Sequence, residues 1–272
     1  MNEEAVRFGI NDDLHGILSM PDHEFSETKP IIVILNSGLL HKVGPFRLSV
    51  ELARNLALSG YRVLRFDVSG IGDSNMRLAK AGEDNVVTDI MGAMNYLDSI
   101  FGDKHYVLIG LCSGADSSHR VSLIDERVVG SVHLDGYGYR NSAYFFYYFV
   151  PRLLSLRLLK KRIKVMFSDN KHVTQGLDEI EAYNRCFPSV DQAINEFSRI
   201  IGRGVKLLYI YTGGVENYYN HKGQLRSLLK SVDLQDALDE EYYPSADHTF
   251  SRVNCREKVI QRIVDWLTAR FG

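Results

Sequence analysis

A cysteine flanked by glycines, at a junction between an extended apolar run and a helical pattern, is the residue of this sequence best placed to do chemistry. Gly110-Leu111-Cys112-Ser113-Gly114 follows the run Tyr106–Gly110 and opens a predicted helix over Ser113–Leu123. A nucleophile at so tight a turn sits on a strained backbone, and glycines two residues to either side remove side chains that would clash with strand and helix. The turn exposes one reactive atom. It also sets that atom at a helix N-terminus, where the dipole and free N–H groups favour a thiolate. The three cysteines, Cys112, Cys186 and Cys255, are too widely spaced for a disulfide framework or a zinc cluster.

Around this turn the chain alternates strand and helix patterns. Val6–Ile10 and Leu14–Met20 predict an antiparallel hairpin joined through Asn11-Asp12-Asp13 and closed by Pro21. Ile31–Leu35 is a continuous β-branched run, as in a strand buried on both faces of a parallel sheet. A helix over Phe46–Ser59, with Leu48, Leu52 and Leu56 on one face, stops at Gly60. Then come strand Tyr61–Phe66, a Gly/Asp loop at Asp67–Ser74, helix Asn85–Ile100, strand Val128–Leu134, a last strand at Lys206–Tyr211 and a closing helix Arg256–Arg270. Alternation of this kind predicts βαβ units and a mostly parallel sheet.

With these motifs in place, the chain resembles the α/β-hydrolase superfamily, in particular bacterial proteins of the serine-aminopeptidase, esterase and thioesterase kind. The matching motifs are Gly110–Gly114, the loop Asn36-Ser37-Gly38-Leu39, the segment Arg65–Ser74 and Ala246-Asp247-His248-Thr249-Phe250, in family order over nearly the whole chain. Cys112 departs from the serine that most of the superfamily carries, although dienelactone-hydrolase-like members and some acyl-transferring thioesterases share the cysteine. The resemblance implies an α/β fold with helices flanking a mostly parallel central sheet.

It also implies roles. His248, before the last helix, becomes the general base, and the N–H groups of Leu39 and Ser113 become an oxyanion hole, with Gly38 allowing the backbone close to substrate. His41 is a further candidate substrate contact. The acid is open between Glu216, in the loop Thr212–Asn217 that usually supplies it, and Asp135, at the end of the preceding sheet strand; Glu216 is the first choice. The implied chemistry is acyl transfer through a thioester on Cys112. An acyl-thioester is activated toward amines, alcohols and carbanions, so hydrolysis competes with transfer or cyclisation to an acceptor. A non-catalytic binding member of the superfamily is the third reading.

Between Gly136 and Gly204 the alternation breaks, which predicts one domain over residues 1–272 with a helical cap inserted at 137–203. Its aromatic run Tyr144–Phe149, with Tyr144 and Tyr148 as candidate substrate contacts, suits an apolar acyl pocket. The cations Arg152, Arg157, Lys160, Lys161, Arg162 and Lys164 either solubilise a helix or dock an acyl carrier protein or a pantetheine phosphate.

Composition narrows the remaining classes. The 272 residues are 45% apolar and 24% charged, an ordinary globular mix. Thirty-two Lys and Arg against thirty-four Asp and Glu leave a formal charge of −2, which supplies no global field for nucleic acid or an anionic membrane. The longest apolar runs fall short of the ~20 residues of a membrane span, and Met1-Asn2-Glu3-Glu4 does not start a signal peptide, so a cytoplasmic location is expected. Gly70-x-Gly72 lacks the third glycine and downstream acid of a dinucleotide site. No cofactor or metal is expected.

Overall fold

The computed structural model describes residues 1–22, 28–77, 84–102, 104–154, 185 and 187–272. Eight strands form one sheet in the order β1-β2-β4-β3-β5-β6-β7-β8. The hairpin β1 (Asn2–Phe8) and β2 (Leu14–Met20) is antiparallel and joins antiparallel to β4 (Val63–Asp67). From there β3 (Ile31–Ile34), β5 (Tyr106–Leu111), β6 (Val128–Leu134), β7 (Lys206–Thr212) and β8 (Leu238–Tyr243) pair in parallel. The continuous apolar runs become central strands buried on both faces, because helices cover both.

On one face, α1 (Leu48–Leu58) and the C-terminal helix α7 (Val253–Phe271) pack Leu52, Leu56, Ile263 and Trp266 against Ile32, Val107, Val132 and Leu208. On the other, α2 (Asn85–Phe101) and α3 (Ser113–Ile124) cover β3 and β5. Further along that face α5 (Val190–Gly202), capped by the Ser189 side chain, buries Phe197 and Ile200 against β7. Thus the C-terminal part of the expected 137–203 insertion flanks the sheet. Its N-terminal part contains α4 (Ser142–Leu154). Arg157, Lys160, Lys161, Arg162 and Lys164 lie outside the described residues, as do His23, His172 and Cys186.

Two expectations need correction. β8 follows the strand expected to be last; Leu238-Asp-Glu-Glu-Tyr-Tyr carries three acids because it is an edge strand with one face partly open. The first helix starts at Leu48, two residues later than expected, since Phe46 and Arg47 adopt left-handed conformations with φ of 47° and 66°. Among the described residues, no helix is long and apolar enough to cross a membrane.

Candidate active site

The turn between β5 and α3 places the sulfur. Cys112 has φ 57° and ψ −119°, outside the comfortable range for a side chain with a Cβ. Its N–H donates to the Leu134 carbonyl at 2.9 Å, and its own carbonyl accepts from Ala115 and Asp116 at 3.0 and 3.2 Å. The strain is therefore held by bonds to β6 and to the first turn of α3. The flanking glycines are dictated by space: a Cβ on Gly110 would collide with the Gly114 backbone, and one on Gly114 would collide with the Asn36 carbonyl.

The ends of β6 and β7 supply the rest. Asp135, just past β6, also has a left-handed φ of 50°, and its side chain is fully buried. Its carboxylate accepts from the Thr212 N–H and hydroxyl, both at 2.7 Å, and is 2.7 Å from Nδ1 of His248. His248 sits on the loop between β8 and α7, seated against Gly214, where any Cβ would strike the His248 backbone. Asp247 beside it braces this loop, accepting from the backbone and hydroxyls of Thr249 and Ser251. The imidazole in turn interacts with the Cys112 sulfur, which raises His248 and lowers Cys112.

Of the two candidate acids, then, Asp135 faces the imidazole. Glu216, the first choice from sequence, is set on the same rim, but its backbone carbonyl accepts the Tyr144 hydroxyl at 3.0 Å and its carboxylate is not the partner of Nδ1. The reason is local: the loop after β7 turns into a short 3-10 segment, Gly213–Val215, in which Gly214 lies against the His248 backbone, and Glu216 follows past that contact.

The electrostatics follow from this geometry. The Asp135 hydrogen bond, then that to Cys112, outweigh burial and raise His248 to about 10. Burial pushes the Cys112 thiol up, but the His248 hydrogen bond, the Arg185 charge, the His248 charge and the Ser113 N–H together bring it below its ordinary value. Both directions are those that favour a thiolate–imidazolium pair.

The loop after β3 borders the sulfur. The Gly38 N–H donates to the Ser113 hydroxyl at 2.7 Å, and Gly38 itself has φ 54° with open space around its Cα. Leu39 next to it is 71% exposed. The loop is fastened at Asp67, which accepts from the Asn36 amide at 3.2 Å, the Lys42 N–H at 2.5 Å and the Lys42 ammonium at 2.7 Å. His41 is exposed and its ring accepts weakly from the Val43 N–H at 3.4 Å; with Ser37, Pro45, Leu111 and Leu134 it lines a narrow cleft.

Tyr144 is buried, and its hydroxyl donates to the carbonyls of Glu216 and Asn217 at 3.0 Å each, which fastens α4 to that loop. Tyr148 stacks on it at 5.8 Å. Sequence reasoning overlooked Arg185 and Tyr218. Arg185 makes a two-pronged ion pair with Asp116 at 2.7 and 2.6 Å and donates to the Asp135 carbonyl at 3.0 Å, which also accepts from the Tyr218 hydroxyl. Neither residue belongs to a local motif, so no sequence signal pointed to them. Among the described residues, no group of three or more His, Cys, Asp or Glu side chains is arranged to hold a metal ion.

Sheet order, strand-to-helix turn and the loop histidine together define the fold of the α/β hydrolases. Among solved structures the chain is similar to the alpha/beta hydrolase GrgF from Penicillium sp. sh18 (15% identity over 100% of this chain and 99% of that one, TM-score 0.62). It is also similar to an esterase from Pyrococcus furiosus (15% identity, 100% and 92%, TM-score 0.62) and to an alpha-beta serine hydrolase homologue from Coxiella burnetii (13% identity, 100% and 99%, TM-score 0.58). No family model and no curated protein matches the sequence.

Proposed function

We propose that this protein is an enzyme of the α/β-hydrolase type that transfers an acyl group through a thioester on Cys112. The observation that carries the reading is the arrangement at one rim of the sheet: Cys112 on its strained turn, and His248, whose interaction with the sulfur shifts both groups, with Asp135 at 2.7 Å from its Nδ1. The solved neighbours named as hydrolases and an esterase support this class.

The thiolate attacks the carbonyl carbon of an ester or thioester, and the carbonyl electrons move onto oxygen. The N–H groups of Ser113 and Leu39 stabilise that oxyanion. Collapse expels the alcohol or thiol, which takes its proton from the His248 imidazolium, leaving an acyl-thioester. His248, now neutral, removes a proton from water or another acceptor, which attacks the thioester and regenerates the thiolate–imidazolium pair. Asp135 holds the imidazole in the tautomer that presents its other nitrogen to the sulfur and balances the charge it gains. Water gives hydrolysis; an alcohol, amine or carbanion acceptor gives transfer or cyclisation by the same route.

Stopped-flow release of p-nitrophenol from p-nitrophenyl acetate and hexanoate tests this. The expected result is a burst equal to the enzyme concentration, absent in Cys112→Ala. Equal, burst-free release by both proteins would refute nucleophilic catalysis by Cys112.

A further inference from the structure

Arg185 occupies a position that the relay of Cys112, His248 and Asp135 does not use. Two of its N–H groups hold the Asp116 carboxylate at 2.7 and 2.6 Å, and Asp116 lies in the first turn of α3, the helix opened by Cys112. A third donates to the backbone carbonyl of Asp135 at 3.0 Å and to the Tyr218 hydroxyl at 3.2 Å. The guanidinium also lies over the Phe187 ring, 4.9 Å from its centre. Its side chain is only 14% exposed, so its charge is little screened by solvent.

Three consequences follow. The Asp135 carbonyl accepts from both Arg185 and Tyr218, which secures the left-handed backbone that aims the carboxylate at His248. Rigid placement by Asp116 keeps the cation where its field reaches the sulfur, and that field favours the anionic sulfur. The bidentate geometry needs a planar fork, which Lys lacks.

We propose that Arg185 is a positioning residue of this site, whose guanidinium, fixed by Asp116 and by the Asp135 carbonyl, joins the nucleophile's helix to the acid's strand and holds a little-exposed positive charge at the first turn of the helix that Cys112 opens. The inference rests on Cys112 being the reactive group proposed above. The charged and titratable groups around the sulfur are His248 from the β8–α7 loop, Asp135 behind it from β6, Asp116 from α3, Arg185, and Tyr218 from the segment after β7. Asp116 opposes the field of Arg185, so the two charges act on the sulfur with opposite sign, although they form one ion pair.

The test is the pH profile of Cys112 alkylation by iodoacetamide, followed on the peptide containing Cys112 so that Cys186 and Cys255 do not contribute. Circular dichroism establishes that each variant is folded. Arg185→Gln should slow alkylation about tenfold below neutral pH and leave the high-pH plateau unchanged, as a midpoint raised by about one unit requires. Asp116→Asn should move the midpoint the other way, with alkylation at low pH faster than that of the original protein. Arg185→Lys, which retains charge but not the fork, should recover part of the loss. A purely mechanical strut predicts that Arg185→Gln and Asp116→Asn, which break the same ion pair, change the profile in the same direction or not at all, and either result overturns the proposal. Should Arg185→Gln not fold, Arg185→Lys and Asp116→Asn still give opposite signs or refute it. A Cys112 with the expected profile that never accepts an acyl group would sink the acyl-transfer reading alone.

Discussion

Asp135 and His248 come from positions 113 residues apart, yet the carboxylate of one lies 2.7 Å from Nδ1 of the other. The same carboxylate is tied by two bonds to Thr212 at the end of the neighbouring strand, so it cannot turn away from the ring without breaking both. Asp135→Asn preserves shape but can present an N–H to Nδ1, favouring the wrong tautomer. Turnover of p-nitrophenyl esters should fall about 10²- to 10⁴-fold in Asp135→Asn, while Glu216→Gln stays within about threefold of the original, well under 1 kcal/mol. Reversal of that ranking would make Glu216 the acid.

The same pair sets a pH dependence of stability. His248 is raised from 6.5 to about 10 in the folded protein, chiefly by Asp135. A group whose folded pKa exceeds its unfolded value contributes its full stabilisation below the unfolded value and loses it as pH rises through the folded one. The Tm difference between the original protein and His248→Gln should therefore shrink from pH 6.5 toward pH 10. Cys112, shifted down, acts in the opposite sense: its contribution is present above its unfolded value and fades as pH falls through the folded one. A difference constant across pH 6.5 to 10 in a Cys112→Ala background, which lacks the opposing contribution, would exclude a charged imidazole.

The hydroxyl of Ser113 is the acceptor for the Gly38 N–H at 2.7 Å, which links the turn carrying the sulfur to the loop that supplies Leu39. Ser113→Ala leaves the Ser113 backbone N–H in place but frees the loop. A lost hydrogen bond of about 1 kcal/mol, expressed in the transition state, predicts kcat lowered roughly fivefold with KM little changed. An unaltered kcat would mean that the loop is held by Asp67 and Lys42 alone.

Gly114 abuts the Asn36 carbonyl, so Gly114→Ala must push α3 away from the loop after β3. Overpacking of this kind costs about 1–3 kcal/mol, which urea unfolding would read as a lower midpoint with unchanged slope. An unshifted midpoint would show that the contact relaxes freely.

How far the sequence discloses this arrangement depends on whether the information is local. Ile31–Leu35 and Tyr106–Gly110 read as central strands because burial on both faces demands unbroken apolar runs, and both are found at the heart of the sheet. The turn at Cys112 is legible for a related reason: Gly110 answers a collision with the Gly114 backbone inside the same short motif, although Gly114 answers the distant Asn36 carbonyl. β8 is not legible, because an edge strand can carry Asp239, Glu240 and Glu241 without cost to the core. Glu240 is in fact used, accepting from Tyr219 and from the first N–H groups of the short helix α6 (Gln224–Leu228).

The choice of acid is hidden more deeply. Both carboxylates follow sheet strands, and which one meets the histidine depends on the path of the loop after Thr212, a property of three glycine-rich residues that no periodicity reports. Arg185 is invisible for the same reason: the three residues it hydrogen-bonds come from α3, the end of β6 and the segment after β7, and nothing near it in sequence points to any of them.

The claim on which the rest depends is that the sulfur of Cys112 carries the acyl group. Intact-protein mass spectrometry after brief incubation with an acyl thioester or p-nitrophenyl ester, followed by peptide mapping, measures it directly. The account predicts one acyl adduct per chain, located on Cys112 and absent from Cys112→Ala. An adduct confined to another residue, or no adduct from any donor while product still forms, would contradict it.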